Sequence, residues 1–244
     1  MQSGAIRPLA NMLPRHLFNA EHEAFRDTVR KFYEKEVVPN IAKYEEQQHV
    51  DRDLWNKAGE MGLLCATMPE EYGGSGVDRL YSMILIEEQA YAMDSSTGFS
   101  LHSDIVANYI NNFGNEEQKK HWISKMVSGE AVTAIAMTEP GTGSDLQAVR
   151  TTAVLEGDEY IINGSKIFIT NGYLCDMAIV VCKTGDSDKG SANLSLILVE
   201  ADRAGFSKGK PLNKIGMKGQ DTCELFFEDV RVPKENLVVF QKVC

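Results

Sequence analysis

Through the first half of the chain, apolar positions recur every three to four residues. Phe25, Val29, Phe32, Tyr33 and Val37 make one stripe behind Asn19, a capping residue, with Glu21 and Glu23 in the first turn and Pro39 beyond. A long surface helix is predicted there. The same spacing predicts helices over 51–62 (around Leu54, Trp55 and Ala58), 79–93 (Leu80, Met83, Ile84, Ile86), 101–113 and 116–127. The segment PEEYGGSG at 69–76 reads as a loop, and Gly114-Asn115 separates the last two helices. Nothing before Gly129 reads as a strand.

After Gly129 short runs rich in Val, Ile, Thr and Phe alternate with Gly, Asp and Asn turns. AVTAIAMT, RTTAVLE, EYIINGSKIFIT, MAIVVCK, LSLILVE and CELFFEDVRV are the predicted strands, and Glu156 to Glu159 is a hairpin turn of the Gly-Asp kind. An all-α block followed by a mainly β block predicts an α+β fold, or two domains, rather than a parallel α/β sheet. The expected division is a tail over 1–17, a helical domain over 18–129, a β-domain over 130–237 and a short tail over 238–244.

At 244 residues, 43% of them hydrophobic, the chain has material for one large or two modest cores. The net charge of -10 repels phosphate backbones and anionic lipid, so a nucleic-acid or peripheral membrane protein is not expected. Both halves are acidic. The longest apolar runs fall far short of the roughly 20 residues that cross a bilayer. Cys65, Cys175, Cys182, Cys223 and Cys244 are odd in number and widely spaced, which suggests neither a disulfide framework nor a zinc site and fits a reducing compartment. The first twenty residues carry Arg7, Arg15 and His16 without an acid, a faint mitochondrial-presequence pattern that Pro8 and Pro14 oppose; a disordered tail is expected.

Several chemistries are missing. Gly141 and Gly143 open a dinucleotide fingerprint that Leu146 breaks, and neither a phosphate-loop motif nor a hydrolase nucleophile elbow occurs. His22-Glu23 starts like a metalloprotease helix, but Arg26 stands at the second ligand position; His16, His22, His49, His102 and His121 are expected at the surface or in caps. The densest chemistry is at Ala136 to Asp145, where an apolar strand runs into glycines and hydroxyls. Thr138, Thr142 and Ser144 together with open backbone could cradle an anion or a flat cofactor; by composition alone, a self-capping Gly-rich turn explains the segment at least as well. A second patch, Phe168-Ile-Thr-Asn-Gly172, ends a strand with an aromatic, a hydroxyl and a turn.

In this order and with these flanks, the two patches resemble the acyl-CoA dehydrogenase family. AMTEPGTGSDL is similar to that family's flavin signature, NGSKIFITNG to its flavin-lining strand, and GMKGQDTCELFFEDVRVP to the end of its middle domain. EEYGG, the EEQAY helix and GNEEQKKHW resemble its N-terminal helical domain. The resemblance covers about residues 18–237, points to the long-chain branch or a bacterial relative, and departs at Thr142, where Ala or another small residue is common. It implies a barrel-like middle domain with FAD's isoalloxazine ring against Ile135, Ala136, Met137 and Thr138. The Thr138 hydroxyl and nearby N–H groups would bond the pyrimidine side. Gly143 would permit close backbone approach, and Ser144 would touch both the flavin phosphate region and bound acyl-CoA. Phe168 would pack on the flavin, with Ile169 beside it, and Thr170 would bond the hydride-accepting nitrogen. Read without the resemblance, Phe168 and Ile169 are equally well explained as β-domain core.

In this family a glutamate of a C-terminal four-helix domain removes the α-proton of an acyl thioester while the β-hydride passes to flavin. That domain is expected to be absent here: the resemblance breaks after Asn236-Leu237, as truncation, splicing or a frameshift would produce. No glutamate in the chain takes the role, because Glu139 belongs to the turn and Glu87 and Glu88 to a helix's polar face. Two functions follow from the resemblance. One is a FAD-dependent acyl-CoA dehydrogenase of β-oxidation, inactive as written, a homotetramer delivering electrons to an electron-transfer flavoprotein in a bacterial cytoplasm or mitochondrial matrix. The other is a non-catalytic remnant that keeps part of the flavin and acyl-CoA surface, or a partner surface.

Overall fold

The computed structural model describes residues 16–185 and 193–238. Most of the expected tails, including Cys244, lies outside the described residues. Helix α1 (Ala20–Phe32) starts at Asn19, whose side chain accepts from His22 N at 3.0 Å while His22 Nδ1 accepts from Asn19 N at 3.1 Å. Pro39 does not stop the helical path. After a π-helical turn (Tyr33–Val37) it lies in the first turn of a 3-10 segment, where a missing N–H is tolerated, and α2 (Ile41–Gln47) follows. Next come α3 (Arg52–Glu60), α4 (Arg79–Tyr91), α5 (Ala107–Phe113) and α6 (Glu116–Ser128). Asp78 and Asn115 cap α4 and α6, and a π-helical turn (Leu101–Val106) precedes α5. Glu88 is not on a polar face, as α4's pattern suggested, but 2% exposed: Arg26 and Arg30 of α1 both bond its carboxylate, which makes burial tolerable.

Eight strands form one sheet: β1 (Thr133–Ala136), β2 (Thr152–Glu156), β3 (Glu159–Thr170), β4 (Met177–Lys183), β5 (Leu194–Glu200), β6 (Phe206–Lys208), β7 (Thr222–Pro233) and β8 (Leu237–Val238). The order is β6-β7-β3-β2-β4-β5-β8, with β1 also on β4. Gly157, at φ +63°, gives the two-residue β2–β3 hairpin the left-handed conformation it needs. The sheet is mixed: β1 runs parallel to β4 and the start of β2 meets β4 in the same sense. Residues 137–151 are therefore an excursion that leaves the edge of β4 at one point and returns to it a few residues on. The sheet also curls, so that the end of β1 reaches the middle of β3, where Ile167 N donates to Thr138 O at 2.9 Å.

Alternation along β1 divides two cores. Ala134 and Ala136 enter a core inside the sheet with Ile162, Ile169, Val180 and Phe227. Ile135 and Met137 face a second core, where α5 and α6 (Ile110, Trp122, Ile123, Met126) pack on β4 and β5 (Ile179, Leu198). A third core, around Trp55, Phe99 and Ile84, holds the helices together. His102 is in the interior, contrary to the surface-or-cap reading. It is fully buried with both ring nitrogens engaged, Nε2 by Met126 O at 3.1 Å and Nδ1 by Thr133 N at 3.2 Å and Thr133 Oγ1 at 2.9 Å.

Candidate functional site

The excursion 137–151 and the middle of β3 meet over the end of β1. Glu139 opens the turn, as expected, and its side chain is also the anchor of the excursion. Its carboxylate is buried and accepts from Arg150 N at 2.6 Å, Thr151 N at 2.9 Å and Thr151 Oγ1 at 2.6 Å, which closes the loop where it returns to the sheet. Lys166 of β3, with no exposed surface, reaches Glu139 Oε1 at 2.9 Å and Met137 O at 3.0 Å. Burial raises the Glu139 carboxyl, but the donors from Thr151, Arg150 and Lys166 outweigh it and hold the group below the ordinary carboxylate range. Burial lowers the Lys166 ammonium against the pull of Glu139. Two oxygens, Glu139 Oε1 and Met137 O, face its nitrogen.

Inside the loop, Thr142 N and O pair with Glu139, and the Thr142 hydroxyl donates to Ala148 O at 3.0 Å. Thr142 thus holds the loop together, as the self-capping reading of this segment expects, and its hydroxyl hydrogen is spent within the loop. Gly143 and Ser144 lie exposed at its tip, and a side chain built at Gly143 would meet nothing. The hydroxyls of Thr138, Ser144 and Thr170 have no hydrogen-bond partner among the described residues.

Across from the loop, β3 carries a bulge. Lys166 pairs with Leu225 and Ile169 with Cys223, so Ile167 and Phe168 share the single opposing Glu224. Phe168 takes φ +61° and is 63% exposed. It is therefore not the core residue that its pattern allowed, whereas Ile169, 2% exposed, is. A bulky residue held left-handed with its ring in solvent is the strained geometry that gathers at ligand sites. Beyond Thr170, Asn171 (φ +61°) donates to Gly98 O at 3.0 Å and Thr133 O at 3.3 Å, tying the strand end to the helical region. Burial pushes the Asp221 carboxyl up to about 6 although Tyr173 N and Leu174 N both donate to it.

The structure thus sets Thr138 against β3 beside Phe168 and Thr170, with Gly143 and Ser144 on the adjoining loop, while the Met137 side chain faces the helices. It does not bring Ala136 or Ile169 to the surface. Ile135 is half-buried toward the helices.

Two family models match, "Acyl-CoA dehydrogenase, N-terminal domain" over residues 19–130 and "Acyl-CoA dehydrogenase, middle domain" over residues 134–230. The chain belongs to the acyl-CoA dehydrogenase family. It is 51% identical over 239 residues to the mitochondrial long-chain specific acyl-CoA dehydrogenase of Sus scrofa, an alignment covering 98% of this chain and 56% of that protein. An acyl-CoA dehydrogenase from Geobacillus kaustophilus superposes with a TM-score of 0.90 at 46% identity, covering 93% of this chain and 60% of that one. The Bacillus anthracis acyl-CoA dehydrogenase complexed with FAD gives 0.84 at 37% identity, over 93% of this chain and 40% of that one. The chain thus spans little more than half the length of the curated acyl-CoA dehydrogenases it matches.

Proposed function

We propose that residues 130–237 form the flavin-facing wall, and residues 18–129 the helical wall, of a FAD-dependent dehydrogenase acting on long-chain fatty acyl-CoA, with electrons leaving to an electron-transfer flavoprotein. What supports this reading is an exposed aromatic, Phe168, fixed in a bulge between Thr138 and Thr170, whose hydroxyls, like that of Ser144 on the loop, have no partner among the described residues. That array suits a flat, polar heterocycle, and the open backbone at Gly143 suits the phosphates attached to it. FAD bound there would supply two-electron, hydride-accepting chemistry for converting an acyl thioester to its trans-2-enoyl product.

The chain's own part is binding and orientation. Thr138 and Thr170 would hold the ring through their hydroxyls, Phe168 would pack against it, and Ser144 would contact both the cofactor and the acyl-CoA. Donors to the pyrimidine side favour the reduced, anionic form. Glu139 does not serve as the proton-abstracting base, because Lys166 and three further donors occupy its carboxylate. The long-chain preference and a homotetrameric assembly are part of the same proposal, supported by the likeness to the long-chain enzymes.

Titration of the purified chain with FAD, followed by flavin fluorescence, tests the site. Thr138→Val and Thr170→Val should each weaken binding by about tenfold, the worth of roughly one buried hydrogen bond. Equal affinity in both variants, or no saturable binding by the unaltered chain, would refute the assignment.

A further inference from the structure

A fully buried lysine is costly to keep, and a buried ion pair is weak evidence of stability, since well-packed apolar residues often replace one without loss. Lys166 and Glu139 are 27 positions apart, and each also holds groups beyond its partner. The ammonium takes Met137 O at 3.0 Å as well as Glu139 Oε1 at 2.9 Å. The carboxylate takes Arg150 N, Thr151 N and Thr151 Oγ1. Four pieces of chain converge on the pair: the end of β1, the two ends of the 139–151 loop, and β3 just before its bulge.

The consequence for the backbone is specific. Successive carbonyls of an extended chain point to opposite sides, yet Met137 O and Thr138 O are both bound from β3, one by the Lys166 side chain and the other by Ile167 N at 2.9 Å. Among the described residues no peptide bond is cis, so the C=O of Met137 and the N–H of Thr138 are antiparallel across their shared peptide. Holding the carbonyl on Lys166 therefore fixes the direction of the Thr138 N–H. The bulge begins immediately after Lys166, so the same residue sets the register of Phe168 and Thr170.

We propose that Lys166 and Glu139 are positioning residues that lock the Met137–Thr138 peptide against the β3 bulge and so hold Thr138, Phe168 and Thr170 in the one arrangement that receives the cofactor. This rests on the flavin reading of those three residues. The pair touches no ligand itself; it acts through the peptide and the loop it clamps.

The test uses the full 244-residue chain in three forms: unaltered, Lys166→Met, and Lys166→Met with Glu139→Gln. The double variant leaves no unpaired buried charge and carries the test should the single one fail to fold. Amide hydrogen exchange without flavin comes first. Peptides over 137–151 and 166–172 should exchange about tenfold faster in the variants while α1 and α4 stay protected as before. Unchanged exchange in a folded variant would overturn the inference. FAD titration comes second. The double variant should melt close to the unaltered chain and still bind FAD about tenfold or more weakly; affinity that recovers together with stability would show an ion pair of purely structural worth, against the proposal. Absence of FAD binding by the unaltered chain would instead strike the flavin reading, and the exchange result would still decide whether the clamp exists.

Discussion

His102→Leu should destabilise the chain strongly at neutral pH and much less in mild acid. The imidazole is fully buried where the helical region meets β1, its ring 5.2 Å from that of Trp55. Leucine fills a similar volume but leaves Thr133 N and the Thr133 hydroxyl without their partner, and leaves Met126 O with Gly129 N alone, at 3.2 Å. Each unsatisfied group costs about 1–3 kcal/mol, and with local relaxation the total at pH 7 is about 2–4 kcal/mol. At about 2–4 °C per kcal/mol for a chain of this size, the unfolding midpoint should fall by roughly 5–15 °C. The pH dependence follows from burial, which lowers the His102 pKa from 6.5 to about 4. Between those values the unfolded chain binds the proton and the folded chain does not, so wild-type stability falls as the pH drops below 6.5. At pH 5.5 that loss is about 1.4 kcal/mol, and the leucine variant does not suffer it. All other titrating groups are common to both proteins and cancel in the difference. Urea unfolding of the two chains at pH 7 and pH 5.5 measures the gap directly. A gap that does not narrow, or a variant as stable as the wild type at pH 7, would refute the account of His102 as a neutral buried link.

Phe168→Gly should leave stability unchanged or raise it by up to about 1 kcal/mol, because glycine accepts φ +61° without a Cβ penalty. It should weaken FAD binding at the same time, and a midpoint several degrees lower would contradict the strain at that position. Gly98→Ala should cost about 1–3 kcal/mol in urea unfolding, since its Cβ would fall 1.8 Å from Asn171 Oδ1 and 2.9 Å from Gln220 Nε2. Wild-type stability in that variant would mean that the Asn171 link between strand end and helices can be rearranged freely.

The elements that the sequence announced carry their signals locally. EYIINGSKIFIT, MAIVVCK and LSLILVE are bounded by turn residues and coincide with β3, β4 and β5. Asn19 marks a helix start because capping is decided within three residues, and Asp78 and Asn115, not read as caps in the sequence, do the same for α4 and α6. What stayed hidden depends on distant partners. Strands β6 and β8, three and two residues long, exist only because β7 and β5 offer them edges. The parallel pairing of β1 with β4 joins segments more than forty residues apart, with no local signature. Burial of His102 and Glu88 likewise follows from what α6, β1 and α1 bring to them.

The site shows the limit most sharply. Strict alternation along β3 would place Ile162, Gly164, Lys166, Phe168 and Thr170 on one face, which assigns a lysine and an apolar ring the same environment. The bulge resolves that conflict by inserting one extra residue, so that Lys166 turns inward to Glu139 while Phe168 turns out and Ile169 takes the core position. A period-two reading therefore leaves Phe168 equally explained as core or as ligand contact, and only likeness to a known signature favoured the second. The ion pair beneath it left no trace in the pattern at all. A lone Glu in a Gly-rich turn and a lone Lys in a strand each read as solvated, and their burial became evident only when the fold placed one against the other. Residues that shape such a site from below are found by asking what binds the backbone carbonyls that an expected ligand does not reach.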